Sequence, residues 1–230
     1  MDVPHPAEHD PGTDPAASTP LPGAPGTPRG RRMRARLLAA AREVFERDGF
    51  LDARVTDIST AAGVAHGTFY TYFRSKTDVF RALVAGTMDE LYASLGSTWT
   101  GDAPDPADRP WDAVESIDRA NRRFVAMYQE NTALMALFEQ VTTFDPEVRA
   151  LRQAARERMA DRVRRSIERF QADGLVAADL DAEISAHALV AMVNGLVHHW
   201  LVLGRDFDPD RLVETTTRLW AQALGLPANR

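Results

Sequence analysis

Cysteine is absent from all 230 residues, which excludes disulfides, thiolate nucleophiles and Cys-ligated zinc or iron–sulfur centres. Long apolar runs are lacking too. The most extended, Ala188 to Leu203, is broken by Asn194, Gly195, His198 and His199 and is too short and too polar to span a bilayer. The first residues bring acids instead of a basic start and no apolar stretch, so no secretory signal is expected and the expected address is cytoplasmic. Also missing are strand-like alternation of useful length, internal repeats, a glycine-rich nucleotide loop, a Ser/His/Asp order and paired carboxylates. These gaps argue against an enzyme, and no cofactor is expected. Lysine occurs once, at Lys76, among 27 basic residues; that bias reflects a GC-rich genome and not a function.

What is present starts with enough apolar content, 44% hydrophobic against 26% charged, to bury the core of one or two domains. A net charge of −6 would discourage nucleic acid if it were spread evenly. It is not, because residues 1–28 carry −4, residues 29–86 carry +5 and residues 87–230 carry −7. A short basic module on an acidic body is the layout of a DNA reader with a separate regulatory part, unless the asymmetry is chance. Eight of the first 28 residues are proline, with only Val3 and Leu21 as larger aliphatics. This tail, 1–28, is expected to be disordered because it has too little apolar surface to offset its ordering entropy.

Helical spacing begins at Arg31, with Leu37, Ala41, Val44 and Phe45, and stops at Gly49. Val55, Ile58 and Ala62 mark a short second helix ended by Gly63, Phe69 and Phe73 anchor a short third, and Val79 to Leu95 carry a long fourth. A loop is expected from Gly101 to Pro110, with helices resuming at Trp111: a pair over Ser116–Tyr128 and Thr132–Val141 split near Asn131, one from Asp145-Pro146 to Ala172, one from Asp181 to Leu203, and one from Asp208-Pro209 to Gly225. The fold class is all-α.

A helix-turn-helix needs a glycine at the reversal, small residues for close helix contact, and a second helix with one anchored and one free face. Ala61-Ala62-Gly63-Val64 followed by Phe69 and Phe73 supplies these, and turning the phenylalanines inward sends Gly67, Thr68, Tyr70 and Thr71 outward. A plain helical hairpin with a solvated face fits the same spacing.

The run Thr56-Asp57-Ile58, Ala61-Ala62-Gly63-Val64, Gly67-Thr68-Phe69-Tyr70, Tyr72-Phe73 and Ser75-Lys76-Thr77-Asp78 resembles the DNA-binding domain of the TetR family of bacterial regulators over about residues 34–84. The resemblance implies a helix-turn-helix domain at 29–76, a ligand-binding and dimerisation domain at 77–230, and a homodimer on a two-fold symmetric operator. It implies base-edge contacts by His66, Gly67, Thr68 and Thr71, and phosphate contacts by Tyr70, Tyr72 and Lys76; Arg54 or Thr56 is expected to replace, toward phosphate, a hydroxyl contact that the family has before the second helix and this chain lacks. The helical wheel places His66 and Tyr72 nearer the anchored side, so those two rest on the resemblance alone. The chain departs from the family pattern in having Ala53-Arg54 before the second helix, where Asp52 is the alternative cap, and Ala65 at the start of the third. Arg29, Arg31, Arg32 and Arg34 either reach DNA or form a basic spacer.

Beyond residue 86 the resemblance thins. From Leu189 to Leu203 apolar side chains occupy nearly the whole helix circumference, as in a helix shared with a partner subunit or one buried centrally in a monomer. Leu189, Val193, Leu196, Leu212, Leu219, Trp220 and Ala223 are the interface candidates. Phe124, Tyr128, Met135, Phe138, Met159, Met192, Asn194, His198 and Trp200 either fill the core or line a pocket for a small apolar ligand with a polar handle. Glu183, His187 and His198 lie near one helix face but lack ligands from a second helix, so no metal site is assigned. The Arg-rich stretch Arg149–Arg169 reads as an ion-paired solvated face or a second nucleic-acid surface. The reading is a ligand-responsive dimeric repressor; the alternative is an all-helical metal or small-molecule binding protein, possibly enzymatic, that no longer binds DNA.

Overall fold

The computed structural model describes residues 27–94 and 113–226. The expected tail up to residue 26, the Gly101–Pro110 loop, the restart at Trp111 and the end of the fourth helix at Leu95 lie outside the described residues. Among those described, no strand occurs. The elements are α1 (Pro28–Asp52), α2 (Val55–Ala61), α3 (His66–Tyr72), α4 (Lys76–Ser94), α5 (Ala113–Glu130), α6 (Thr132–Val141), α7 (Pro146–Ala172), α8 (Ala182–Leu201) and α9 (Pro209–Ala223). The chain is all-α, with an N-terminal helix-turn-helix head and a larger helical body.

Capping chemistry sets the boundaries. Asp145 accepts from the amides of Glu147 and Val148, both at 3.0 Å, ahead of Pro146. Asp181 accepts from Ile184 N–H at 2.9 Å and Asp208 from Arg211 N–H at 2.8 Å. Each side chain satisfies amide donors that the first helical turn leaves unpaired. The start of α1 differs from expectation. Thr27 accepts from Gly30 N–H at 3.1 Å and Pro28 sits in the first turn, so the helix starts before Arg31. Arg29, Arg31, Arg32 and Arg34 are therefore helix-borne and not part of a spacer.

The head is held by aromatics. Phe45, Phe50 and Phe80 pack at ring separations of 5.0 to 5.7 Å, joining α1 to α4. Phe45 and Phe80 are fully buried, each worth roughly 1.5–3 kcal/mol relative to exposure. Gly49 interrupts α1 at φ +77° and Gly63 turns the chain at φ +61°, a left-handed conformation that costs other residues about 1–2 kcal/mol. A Cβ at Gly63 would lie 2.5 Å from the Arg36 guanidinium.

One apolar core runs from Leu37 to Leu226. In the body, α8 packs on α7 and α9 on α5, while α1 rests on α6 and α4 on α7. Contacts among the described residues tie α1 and α4 to the body: Arg42 of α1 donates to Asn131 Oδ1 at 2.8 Å, Arg81 of α4 pairs with Glu147 at 2.7 Å, and the Phe50 ring meets Phe144 at 6.0 Å.

Candidate functional site

α3 is tethered by Phe69 and Phe73, both buried. Around them His66, Gly67, Tyr70 and Thr71 are exposed and Thr68 is half-buried. The His66 ring stands edge-on to Tyr70 at 5.2 Å, so His66 lies on the free face and the wheel placement is corrected. Tyr72 is half-buried and packs against the core, as the wheel placed it. No side chain caps α2 or α3, whose N-caps are Arg54 and Ala65. Asp52 does not replace the missing cap. Arg54 and Thr56 are exposed, with the Thr56 hydroxyl 3.5 Å from Asp57 Oδ1.

Lys76 is engaged within the chain. Its ammonium donates to the carbonyls of Leu51 and Ala53, both at 2.9 Å, and lies 4.8 Å from the Phe50 ring centre. Partial burial draws its pKa below the ordinary lysine value, and the two carbonyls compensate for the lost hydration. One N–H remains for an outside acceptor. Next to it Ser75 Oγ accepts from Asp78 N–H at 3.1 Å and Asp78 Oδ2 from Arg74 N–H at 2.9 Å, so α4 starts with reciprocal capping. Arg34 stacks on Phe73 at 5.2 Å, and Arg29, Arg31, Arg32 and Arg36 are exposed beside it on α1. Basic side chains thus line α1, with Arg34 against the Phe73 anchor of α3 and Arg36 at the glycine of the turn.

A cavity of about 310 Å³ opens in the body among Tyr128 of α5, Glu139 of α6, Arg152 and Arg156 of α7, and the α8 stretch from His187 to His199. Its neighbour, about 30 Å³, shares Tyr128, Glu139, Arg152, Arg156 and Asn194, and adds Phe124, Phe138 and Met159. A third, also about 30 Å³, is walled by Phe124, Met159, Val163, Asn194 and Trp220. Among the expected pocket residues, Tyr128, Asn194 and His198 line the large cavity, and Phe124, Phe138 and Met159 line the small ones. Met135 is sealed in the core, and Met192 and Trp200 only pack against it. The tyrosine hydroxyl lies 3.4 Å from Asn194 Oδ1, and burial pushes its pKa up to about 12.

Glu139, Arg152 and Arg156 escaped the sequence reading. Their signal was spacing: Arg152 and Arg156 precede Met159 and Val163 at three- and four-residue steps, which put all four on one face of α7. Glu139 and Arg152 form an ion pair at 2.5 Å. Elsewhere on α7, Arg164 pairs with Asp161 and Glu168 and Arg165 with Asp161, while Arg158 sits 3.8 Å from Asp89 and 4.7 Å above Tyr92. An ion-paired surface is thus the better description of this helix. Among the described residues no three His, Cys, Asp or Glu side chains converge as a metal site requires, and no helix is long and apolar enough to cross a membrane.

Several interface candidates belong to the chain's own core. Leu189, Val193, Leu212 and Trp220 are all under a tenth exposed and retain almost no surface for a partner. Leu196 is half-buried, and Leu219 and Ala223 are exposed. The circumference of α8 is apolar because one side is core and the other carries Ile184, Ala188, Ala191 and Gly195 outward.

Comparison with known proteins agrees with this geometry. Residues 37–83 match the family model described as bacterial regulatory proteins, tetR family, and residues 118–225 match that of the BetI-type transcriptional repressor C-terminal region. The transcriptional activator FasR of Mycolicibacterium smegmatis is 29% identical over 89% of this chain and 91% of its own. The transcriptional repressor BepR of Brucella suis is 25% identical over 84% and 92%. A TetR-family regulator from Mesorhizobium loti superposes with a TM-score of 0.71 at 18% identity, covering 86% of this chain and 98% of that one. SmeT, the repressor of a Stenotrophomonas maltophilia multidrug efflux pump, gives 0.67 at 23% identity, covering 83% and 89%. With a helix-turn-helix head and a helical body both matched, the chain belongs to the TetR family of helix-turn-helix transcriptional regulators.

Proposed function

We propose that this regulator is a homodimeric repressor whose two heads, spanning 29–76, bind a two-fold symmetric operator, and whose bodies, spanning 77–230, take up a small ligand that releases the DNA. The observation that carries the reading is the free face of α3. On it His66, Gly67, Thr68 and Thr71 offer small or hydrogen-bonding groups that in this reading meet base edges, and Tyr70, Arg54, Thr56, the remaining N–H of Lys76 and the half-buried Tyr72 are assigned to phosphates. Exposed apolar side chains at Ile184 of α8, Leu219 of α9, and Leu203 and Phe207 in the segment between them support dimerisation through the outer faces of α8 and α9, with Leu196 and Ala223. Repression is favoured by the repressor-type C-terminal match.

Release follows from the position of α6. Its Glu139 lies in the cavity wall, and Asn131 at its N-terminal end accepts from Arg42 of the head. The Phe144 ring, just beyond its C-terminal end, touches Phe50. A ligand that parts Glu139 from Arg152 shifts α6, and α1 moves with it. The two heads must match successive major grooves about 34–36 Å apart, so a small tilt costs affinity. Fluorescence anisotropy with the DNA upstream of the protein's own gene tests the reading: saturable binding that survives excess unrelated DNA is expected, and binding no tighter than to unrelated DNA would favour an all-helical binding protein without an operator.

A further inference from the structure

We infer that the effector of the large cavity is an amphiphilic monoanion, a carboxylate with an apolar tail. The inference rests on the ligand-responsive reading above and names the chemistry of the same site.

Charge balance at the wall carries it. Glu139 is neutralised by Arg152 at 2.5 Å. Arg156 enters the same wall, and among the described residues it has no acidic partner. No second carboxylate lines the cavity, so the wall carries one uncompensated guanidinium beside three histidines. A single positive charge matches a single negative one, and an Arg–carboxylate contact is the geometry a guanidinium satisfies best. The Tyr128 phenol stays protonated at neutral pH and lines the same wall; its one O–H donates to Asn194 Oδ1 at a long 3.4 Å, a weak bond that a carboxylate oxygen would replace as acceptor. A cationic ligand would meet Arg156 without a free acid to offset the repulsion.

The tail has a direction. Tyr128, Arg156 and Asn194 are shared with the adjoining small cavity, whose farther wall includes Met88, Phe124 and Met159. Methionine side chains rearrange at low cost, so this end can widen to admit an alkyl chain. The head then lies at Arg156 and Tyr128 with the tail against Phe124 and Met159.

The test uses the full-length protein and three matched probes, octanoate, 1-octanol and octylamine, titrated calorimetrically and scored in parallel for release of operator DNA. Octanoate should bind at least about tenfold more tightly than either neighbour, the worth of a hydrogen bond to a charged group. Arg156→Gln should weaken octanoate by about tenfold while leaving octanol unchanged, and Tyr128→Phe should weaken it by a smaller factor. Both variants are checked by thermal melting, and Arg156 is exposed enough to be replaced without disturbing the core. Equal affinity for octanoate and octanol, or tighter binding of octylamine, overturns the anion while leaving ligand response standing. No binding by any probe also overturns it, and operator affinity measured in the same samples without probe reports separately on the DNA-binding reading.

Discussion

Replacing Lys76 by alanine separates a structural tether from a phosphate contact. Its ammonium holds two carbonyls at 2.9 Å, one in the last turn of α1 and one at its C-cap, and covers the Phe50 ring. Buried charge-assisted hydrogen bonds contribute about 1.5–3 kcal/mol each; because this side chain is only half-buried, about 1 kcal/mol each is the appropriate scale. The cation–π contact adds about 0.5–1 kcal/mol. Lys76→Ala should therefore destabilise the fold by roughly 2–3 kcal/mol, which for a chain of this size lowers Tm by about 5–10 °C. Operator binding, measured well below that Tm, should weaken for all sequences alike, and the salt slope should fall by about one if the third N–H meets a phosphate. Differential scanning calorimetry and anisotropy at several salt concentrations give both numbers. An unchanged Tm would refute the tether. A fallen Tm with an unchanged slope would show that the ammonium is spent inside the protein.

Other substitutions probe the head, the cavity and the link between them. Gly67→Ala meets nothing within 4 Å and should stabilise α3 by about 0.5–1 kcal/mol while weakening the operator complex, as paired melting and anisotropy measurements would show. Thr68→Ala should cost about 1–3 kcal/mol of operator affinity and relax preference at one base pair, read by binding to single-base operator variants. Tyr128 has a folded pKa of about 12, raised above the ordinary phenol value by burial; the stability it confers is present below about pH 10 and lost as pH rises toward 12. The steepness of alkaline unfolding over that window should therefore decrease in Tyr128→Phe. Arg42→Ala removes the bond to Asn131 and should leave ligand affinity intact while reducing the ligand-induced loss of operator affinity, determined from Kd values with and without saturating DNA.

The head was readable in the sequence because its geometry depends on few residues. Gly49 and Gly63 take the positive φ expected of them, and Phe69 and Phe73 anchor α3. Asp145, Asp181 and Asp208 cap their helices because an acceptor followed by proline or a first-turn helix former is a local signal. Thr27-Pro28 is the same kind of signal, masked by the proline-rich composition around it. The cavity was harder to read. Whether Met135 fills the core or Tyr128 opens onto a cavity depends on how α5 to α8 cross, which helical periodicity does not encode. Leu189, Val193, Leu212 and Trp220 look the same on a wheel whether the apolar side faces the core or a partner. The charged wall was missed because Arg152 and Arg156 sit among arginines that pair on the surface.

The most direct test of the central claim, that exposed α3 faces of two chains read one DNA site, is selection of bound sequences from a random DNA pool followed by footprinting. The expected product is an inverted repeat whose half-site centres lie one helical turn, or a whole number of turns, apart, with protection lost in the Gly67→Ala and Thr68→Ala proteins. Recovery of no enriched sequence, or of a single half-site indifferent to both substitutions, would contradict it.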